Sequence, residues 1–216
     1  MIGALWNPGD DRMRTLTWQA NPQATAAVSS RREFTGSEVE EKYFELAKKH
    51  PDLYDLGRIL IQQGCRPDEV RCLKVSDVDL ERGQIHIRAG KTKTARRTLD
   101  LTAESIEILS RRIASAKTEW IFPSDRKPGH PIVRSSRIHD KVSIDAGVAF
   151  VPYDLRHTSS ARFIESGGDT ASLAQILGHA SLRLVQVYCH ASAAHKKEAM
   201  QKFEAAQQRQ KLRIVG

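Results

Sequence analysis

Between positions 151 and 190 the chain reads VPYDLRHTSSARFIESGGDTASLAQILGHASLRLVQVYCH, which sets Arg156, the pair Gly178-His179 and Tyr188 on short predicted helices joined by tight turns. A guanidinium is a permanently charged donor to phosphate oxygens, an imidazole binds anions and moves protons, and a phenol can carry a phosphoryl group covalently. Together they read as half of a site that transfers a phosphoryl group to a tyrosine. The net charge of +8 and a pI near 9.6 suit a polyanionic partner, although charge alone is a weak signal.

The elements that must hold these residues follow from apolar spacing and punctuation. One helix is predicted from Asp154 to Ser166, ended by Gly167-Gly168. Asp169 caps a second, with Leu173, Ile176 and Leu177 inward and Gly178 at its end. Ser181 caps a third, on which Leu184, Val185 and Tyr188 share a face. Upstream, Thr35 or Ser37 caps a helix carrying Val39, Tyr43, Leu46 and Ala47, and a second helix carrying Leu53, Leu56, Leu60 and Ile61 stops at Gly64. Arg66 precedes Pro67 at the next helix start, where its charge adds to the helix N-terminus. From that segment alone, a surface arginine beside a cap explains it better.

Gln84–Arg88 and Thr98–Leu101 alternate apolar with polar residues, as the two strands of a hairpin do. No acidic residue lies from Arg88 to Arg97. A helix with Ile106, Leu109 and Ile113 follows, then a short buried strand or turn at Glu119–Pro123. A basic loop broken by Pro128, Gly129 and Pro131 leads into a helix ending near Gly147. The basic hairpin tip and loop make Arg88, Lys91, Arg96, Arg97, Arg134 and Arg137 candidate DNA contacts, though solvated loops account for such residues as well. The fold class expected is mainly α with a small antiparallel β-sheet (α+β).

A chain of 216 residues can bury one substantial core. Residues 1–32 lack apolar periodicity and read as an arm or linker, 33–192 as the main domain, and 193–216 as a helical tail. The tail's thin stripe of Met200 and Phe203 suggests docking outside its own subunit. Cys65, Cys72 and Cys189 form no disulfide framework and read as core-filling residues of a reducing compartment. No stretch has the length of a signal peptide's apolar region or a membrane span, so a soluble, cytoplasmic protein is expected. No cofactor or metal is expected. Gly90-Lys91-Thr92 lacks the earlier glycine of a phosphate-binding loop, and His130, His139, Cys189, His190 and His195 match no zinc spacing.

Five fragments in order resemble the catalytic domain of the tyrosine recombinases, or phage-type integrases: Gly-Cys-Arg66-Pro-Asp-Glu69, Thr-Lys93-Thr, Tyr153-Asp-Leu-Arg156-His-Thr, Leu-Gly-His179, and Tyr188 nine residues later. The resemblance covers roughly Phe34 to His190. It implies that Tyr188 is the nucleophile, that Arg66 and Arg156 hold the scissile phosphate and that Lys93 acts from the hairpin, with Lys91 as its rival. It further implies that His179 contacts the phosphate or assists proton movement, and that Glu69 buttresses Arg66. The family usually has His-x-x-Arg where this chain has Tyr153-x-x-Arg156. Tyr153 therefore joins the catalytic set, while the proton acceptor for Tyr188 stays open. His157 is placed beside Arg156 as a packing residue.

Chemistry asks for the same set. Charge developing on the non-bridging oxygens of a phosphodiester calls for paired, always-charged donors, and a phenol makes a phosphoester that a DNA hydroxyl can reverse without ATP. The departing 5′ oxygen needs a proton, which a lysine can deliver. By resemblance the reaction is site-specific DNA strand exchange on double-stranded DNA by a homotetramer spanning two sites. A type IB topoisomerase-like enzyme and a DNA-binding regulator with a silenced site are the alternatives.

Overall fold

The computed structural model describes residues 37–88, 96–133 and 136–188, and positions 200, 201, 203, 204 and 207. The expected arm, the hairpin tip with Lys91 and Lys93, Arg134, and Cys189, His190 and His195 lie outside the described residues.

The chain is mostly helical with one small sheet, as its pattern implies. Helix α1 is Ser37–Ala47, α2 Pro51–Gln63 and α3 Pro67–Arg71. The sheet has strands β1 (Val78–Asp79), β2 (Gln84–Ile87) and β3 (Arg97–Asp100), antiparallel in that order, with Ile85 opposite Leu99 and Ile87 opposite Arg97. Helix α4 is Ala103–Ala114, α5 Ser136–Ala146, α6 Pro152–Glu165 and α7 Thr170–Leu177.

Helix α2 is the central element. It packs on α6 and α4, and its apolar residues Leu53, Ile59, Leu60 and Ile61 are buried in the core with Tyr43, Leu109, Phe122 and Leu155. Asp55 is also buried there, where its carboxylate takes bonds from Arg111 (2.8 Å) and Arg112 (2.7 Å) and so ties α2 to α4. His139, on α5, is buried as well. Its Nδ1 lies 2.9 Å from the Tyr43 hydroxyl and its Nε2 2.9 Å from the Phe150 carbonyl, so it is a packing histidine.

Two expectations change and a third is narrowed to one of its alternatives. The sheet has a third strand, β1, which at two residues is too short to show alternation. Glu119–Pro123 contributes only isolated bridges, Lys74 with Trp120 and Pro123 with Pro131, while Ile121 and Phe122 bury their side chains. The segment after Ser181 is two consecutive 3-10 turns, Leu182–Leu184 and Gln186–Tyr188, and not one α-helix. Val185 alone is buried there. Leu182, Leu184 and Val187 are exposed, so the predicted shared face of Leu184, Val185 and Tyr188 does not form.

Candidate active site

The site is built where the end of α2, the start of α3, the strand β3, the middle of α6 and the end of α7 meet. Helix α2 stops at Gly64, which takes a left-handed conformation (φ 61°) that glycine adopts without strain. Its freed carbonyl accepts from Arg156 Nη1 at 2.7 Å. Helix α7 stops in the same way at Gly178 (φ 64°), and the carbonyl of Leu177 accepts from Arg156 Nη2 at 2.7 Å. Two helix C-termini, each the negative end of a peptide dipole, thus seat one guanidinium. Arg156 is 1% exposed, and burial together with the charges of Arg66 and Arg97 lowers its pKa.

Arg66 stands immediately before α3, with Pro67 at the first helical position. Glu69 reaches back to the Arg66 backbone N–H (2.8 Å) and pairs with its Nη1 (2.7 Å). The same carboxylate takes two bonds from Arg97, at 3.0 and 2.8 Å, and Arg97 Nε donates to the Ile176 carbonyl at 2.6 Å. Burial by itself would raise the Glu69 carboxyl. The bonds from Arg97 and Arg66 outweigh it and hold the pKa below the ordinary value. Three arginines with one carboxylate leave the site net positive.

Arg97 is therefore a structural residue of the site and not a free hairpin arginine. Read as a DNA contact at the hairpin, it has a side chain only 7% exposed and is spent on Glu69 and α7. The signal was its spacing, because Arg97 and Leu99 fall on one face of β3 by the two-residue period of a strand. Arg88, Arg96 and Arg137 are exposed. Arg88 also pairs with Asp77 and donates to the Ser76 carbonyl.

His179 follows α7 directly. Arg156 Nη2 lies 3.1 Å from His179 Nε2, and since a guanidinium can only donate, Nε2 is the acceptor. Burial and the neighbouring cations Arg156, Arg66 and Arg97 push the His179 pKa down to about 4, so the ring is neutral near pH 7 and its proton sits on Nδ1. That Nδ1 is buried without a hydrogen-bond partner among the described residues.

Tyr188 lies at the end of the second 3-10 turn, and its hydroxyl sits 2.5 Å from His157 Nδ1. Burial raises its pKa, against the opposing effects of hydrogen bonding to Ser160 and the Arg156 charge. Tyr153, Arg156, His157 and Ser160 recur at helical spacing along α6. The Tyr153 ring meets the His157 ring at 5.2 Å between centroids, and Arg156 Cζ lies 5.9 Å from the Tyr153 centroid. His157 was expected only to pack beside Arg156. The structure instead puts it on the phenol, a contact that its place four residues after Tyr153 could have suggested.

Arg66, Glu69, Arg156, His179 and Tyr188 thus converge, and Tyr153 lies at their edge. A profile described as the phage integrase family matches residues 35–195. The chain belongs to this family. Tyrosine recombinase XerA of Pyrococcus furiosus is 29% identical over 150 residues, covering 67% of this chain and 52% of that protein. A crystal structure of XerA recombinase superposes with a TM-score of 0.65 at 27% identity, covering 81% of this chain and 65% of that one. XerH site-specific recombinase bound to its difH substrate shares the fold, with a TM-score of 0.60 at 24% identity over 76% of this chain and 52% of that one. The chain spans about half the length of the curated relatives it matches. Among the described residues no helix is long and apolar enough to cross a membrane.

Proposed function

We propose that this chain carries the catalytic centre of a site-specific DNA recombinase that cuts and rejoins strands through a 3′-phosphotyrosine at Tyr188, without metal or ATP. The observation that carries the reading is the buried Nδ1–H of His179. It is a donor with no acceptor among the described residues, held beside Arg156 in a cluster of net positive charge, and an unmet buried donor is costly enough to call for a partner. A non-bridging phosphate oxygen is a partner of the right charge.

In this reading Arg66 and His179 bind the scissile phosphate. The bonds of Arg156 to Gly64, Leu177 and His179 take three of its five N–H donors and leave the others for the phosphate. Glu69 and Arg97 hold Arg66 in place. As Tyr188 attacks, charge builds on the non-bridging oxygens and the fixed cations stabilise it more than in the ground state. Lys93 protonates the leaving 5′ oxygen, and a partner strand's 5′-hydroxyl later reverses the step. The XerH complex with its difH substrate supports DNA as the substrate, which we take to be double-stranded. A homotetramer on two DNA sites is the working unit, with the tail beyond residue 192 docking on a neighbouring subunit.

The test is a pool of nicked suicide duplexes incubated without metal or ATP and run on a denaturing gel. A covalent protein–DNA band that Tyr188→Phe abolishes is expected. DNA binding with no such band at any pH would favour a silenced regulator.

A further inference from the structure

The strand-exchange reading leaves one proton without a destination. A phenol is protonated at neutral pH, and the Tyr188 hydroxyl must lose its proton as it bonds to phosphorus. The family's usual histidine three residues before Arg156 is here Tyr153, and a neutral phenol is a poor base. Besides its hydrogen bond with Ser160, the Tyr188 hydroxyl lies 2.5 Å from His157 Nδ1, with the two rings 5.8 Å apart.

We propose that His157 is the general base for Tyr188, accepting its proton at Nδ1 and returning it when the DNA strand is rejoined. The assignment rests on the strand-exchange reading and deepens it. With the imidazole proton on Nε2, Nδ1 presents its lone pair to the hydroxyl. An Oη lone pair forms the Oη–P bond as the P–O5′ bond breaks. The P–O5′ pair stays on O5′, which takes a proton from the acid assigned to Lys93, and the Oη proton passes to Nδ1. Rejoining runs these transfers backwards, so neither proton is consumed.

Geometry separates His157 from the other candidates. His179 cannot serve, because its Nε2 lone pair already accepts from Arg156 and its other nitrogen carries a proton. The Ser160 hydroxyl donates to the Arg156 carbonyl at 2.8 Å and has no basic pKa. Tyr153 touches the His157 ring and supports its orientation. Among the described residues, Tyr153 on α6 and Tyr188 on the 3-10 turn meet the His157 ring, and His179 after α7 lies within electrostatic reach of it. The proton passes to Nδ1 as the Oη–P bond forms and negative charge builds on the phosphate. His157 is itself exposed, so replacing it leaves the core intact.

The test measures single-turnover cleavage of a nicked duplex that the wild-type chain selects from a randomised pool, made with either oxygen or sulfur at the scissile 5′ position. A 5′ thiolate leaves without a proton, so sulfur repairs a missing acid but not a missing base. His157→Gln is expected to bind the duplex like wild type and to cleave it about 100-fold or more slowly, with either leaving atom. Added imidazole partly restores His157→Ala, and Tyr153→His partly restores His157→Gln. Cleavage by His157→Gln within about threefold of wild type would overturn the proposal, as would full recovery on the sulfur duplex. Failure of the wild-type chain to cleave any duplex in the pool would instead remove the strand-exchange reading and this assignment with it, and the wild-type lane alone tells the two failures apart.

Discussion

Glu69 is the residue on which the electrostatics of the site turn. It neutralises one of three neighbouring arginines and fixes the geometry of two, Arg66 and Arg97. Glu69→Gln keeps the shape but removes the charge, so the arginines repel without relief. A loss of roughly 2 kcal/mol in urea-induced unfolding is expected, with weakened cleavage, because breaking one side of a buried ion pair leaves charge uncompensated. Glu69 also has a folded-state pKa below its unfolded one. Its contribution to stability is present above the ordinary carboxyl pKa and is lost as pH falls through the depressed value. His179 has the same sign by another route. Its folded pKa of about 4 lies below the ordinary 6.5, so the unfolded chain takes up that proton first. Stability attributable to His179 is therefore intact above about pH 6.5 and declines between 6.5 and 4. Urea midpoints across that interval should fall further for wild type than for His179→Gln; an equal fall in both proteins would contradict the assignment. Arg66, Glu69, Arg156, His179 and Tyr188 were legible because each sits in a short fragment of fixed spacing. The partners of Arg97 and His157 were not, because they lie 28 and 31 residues away in sequence and only the fold brings them together.

At the scale of elements, the site depends on how helices end. Gly64 supplies the carbonyl that seats Arg156, and a Cβ there would lie 3.2 Å from Ser159 Oγ with φ still at 61°. Gly64→Ala should cost about 1–3 kcal/mol from the left-handed conformation. It should also slow cleavage more than its stability cost explains, unlike Asp169→Ala at the opposite end of α7 from the site. That change removes the cap that accepts from the Ser172 N–H at 2.8 Å and loosens only the start of α7. Matched denaturant curves and cleavage rates for the two variants check this. The helices with strong apolar stripes were readable, as were the glycine stops. β1 and the paired 3-10 turns were not, because elements of two or three residues carry no measurable period and tertiary contacts set their form.

Over the whole molecule, the net charge of +8 suits a polyanionic partner. The exposed Arg96 and Arg137 remain candidates for phosphate contacts, whereas Arg97 serves structure. Replacing Arg96 and Arg137 together with glutamine should weaken duplex binding uniformly across sequences and reduce the slope of log affinity against log salt by about 2. Arg97→Gln should act instead through stability and cleavage. Fluorescence anisotropy over a salt series distinguishes these outcomes.

The most direct measurement of the central claim is covalent capture on the nicked suicide pool with metal chelated and no nucleotide added. The expected result is a denaturation-resistant protein–DNA adduct whose mass places a 3′-phosphoryl strand on Tyr188, and which Tyr188→Phe eliminates without loss of DNA binding. An adduct on another residue, or an adduct that persists in Tyr188→Phe, would contradict it.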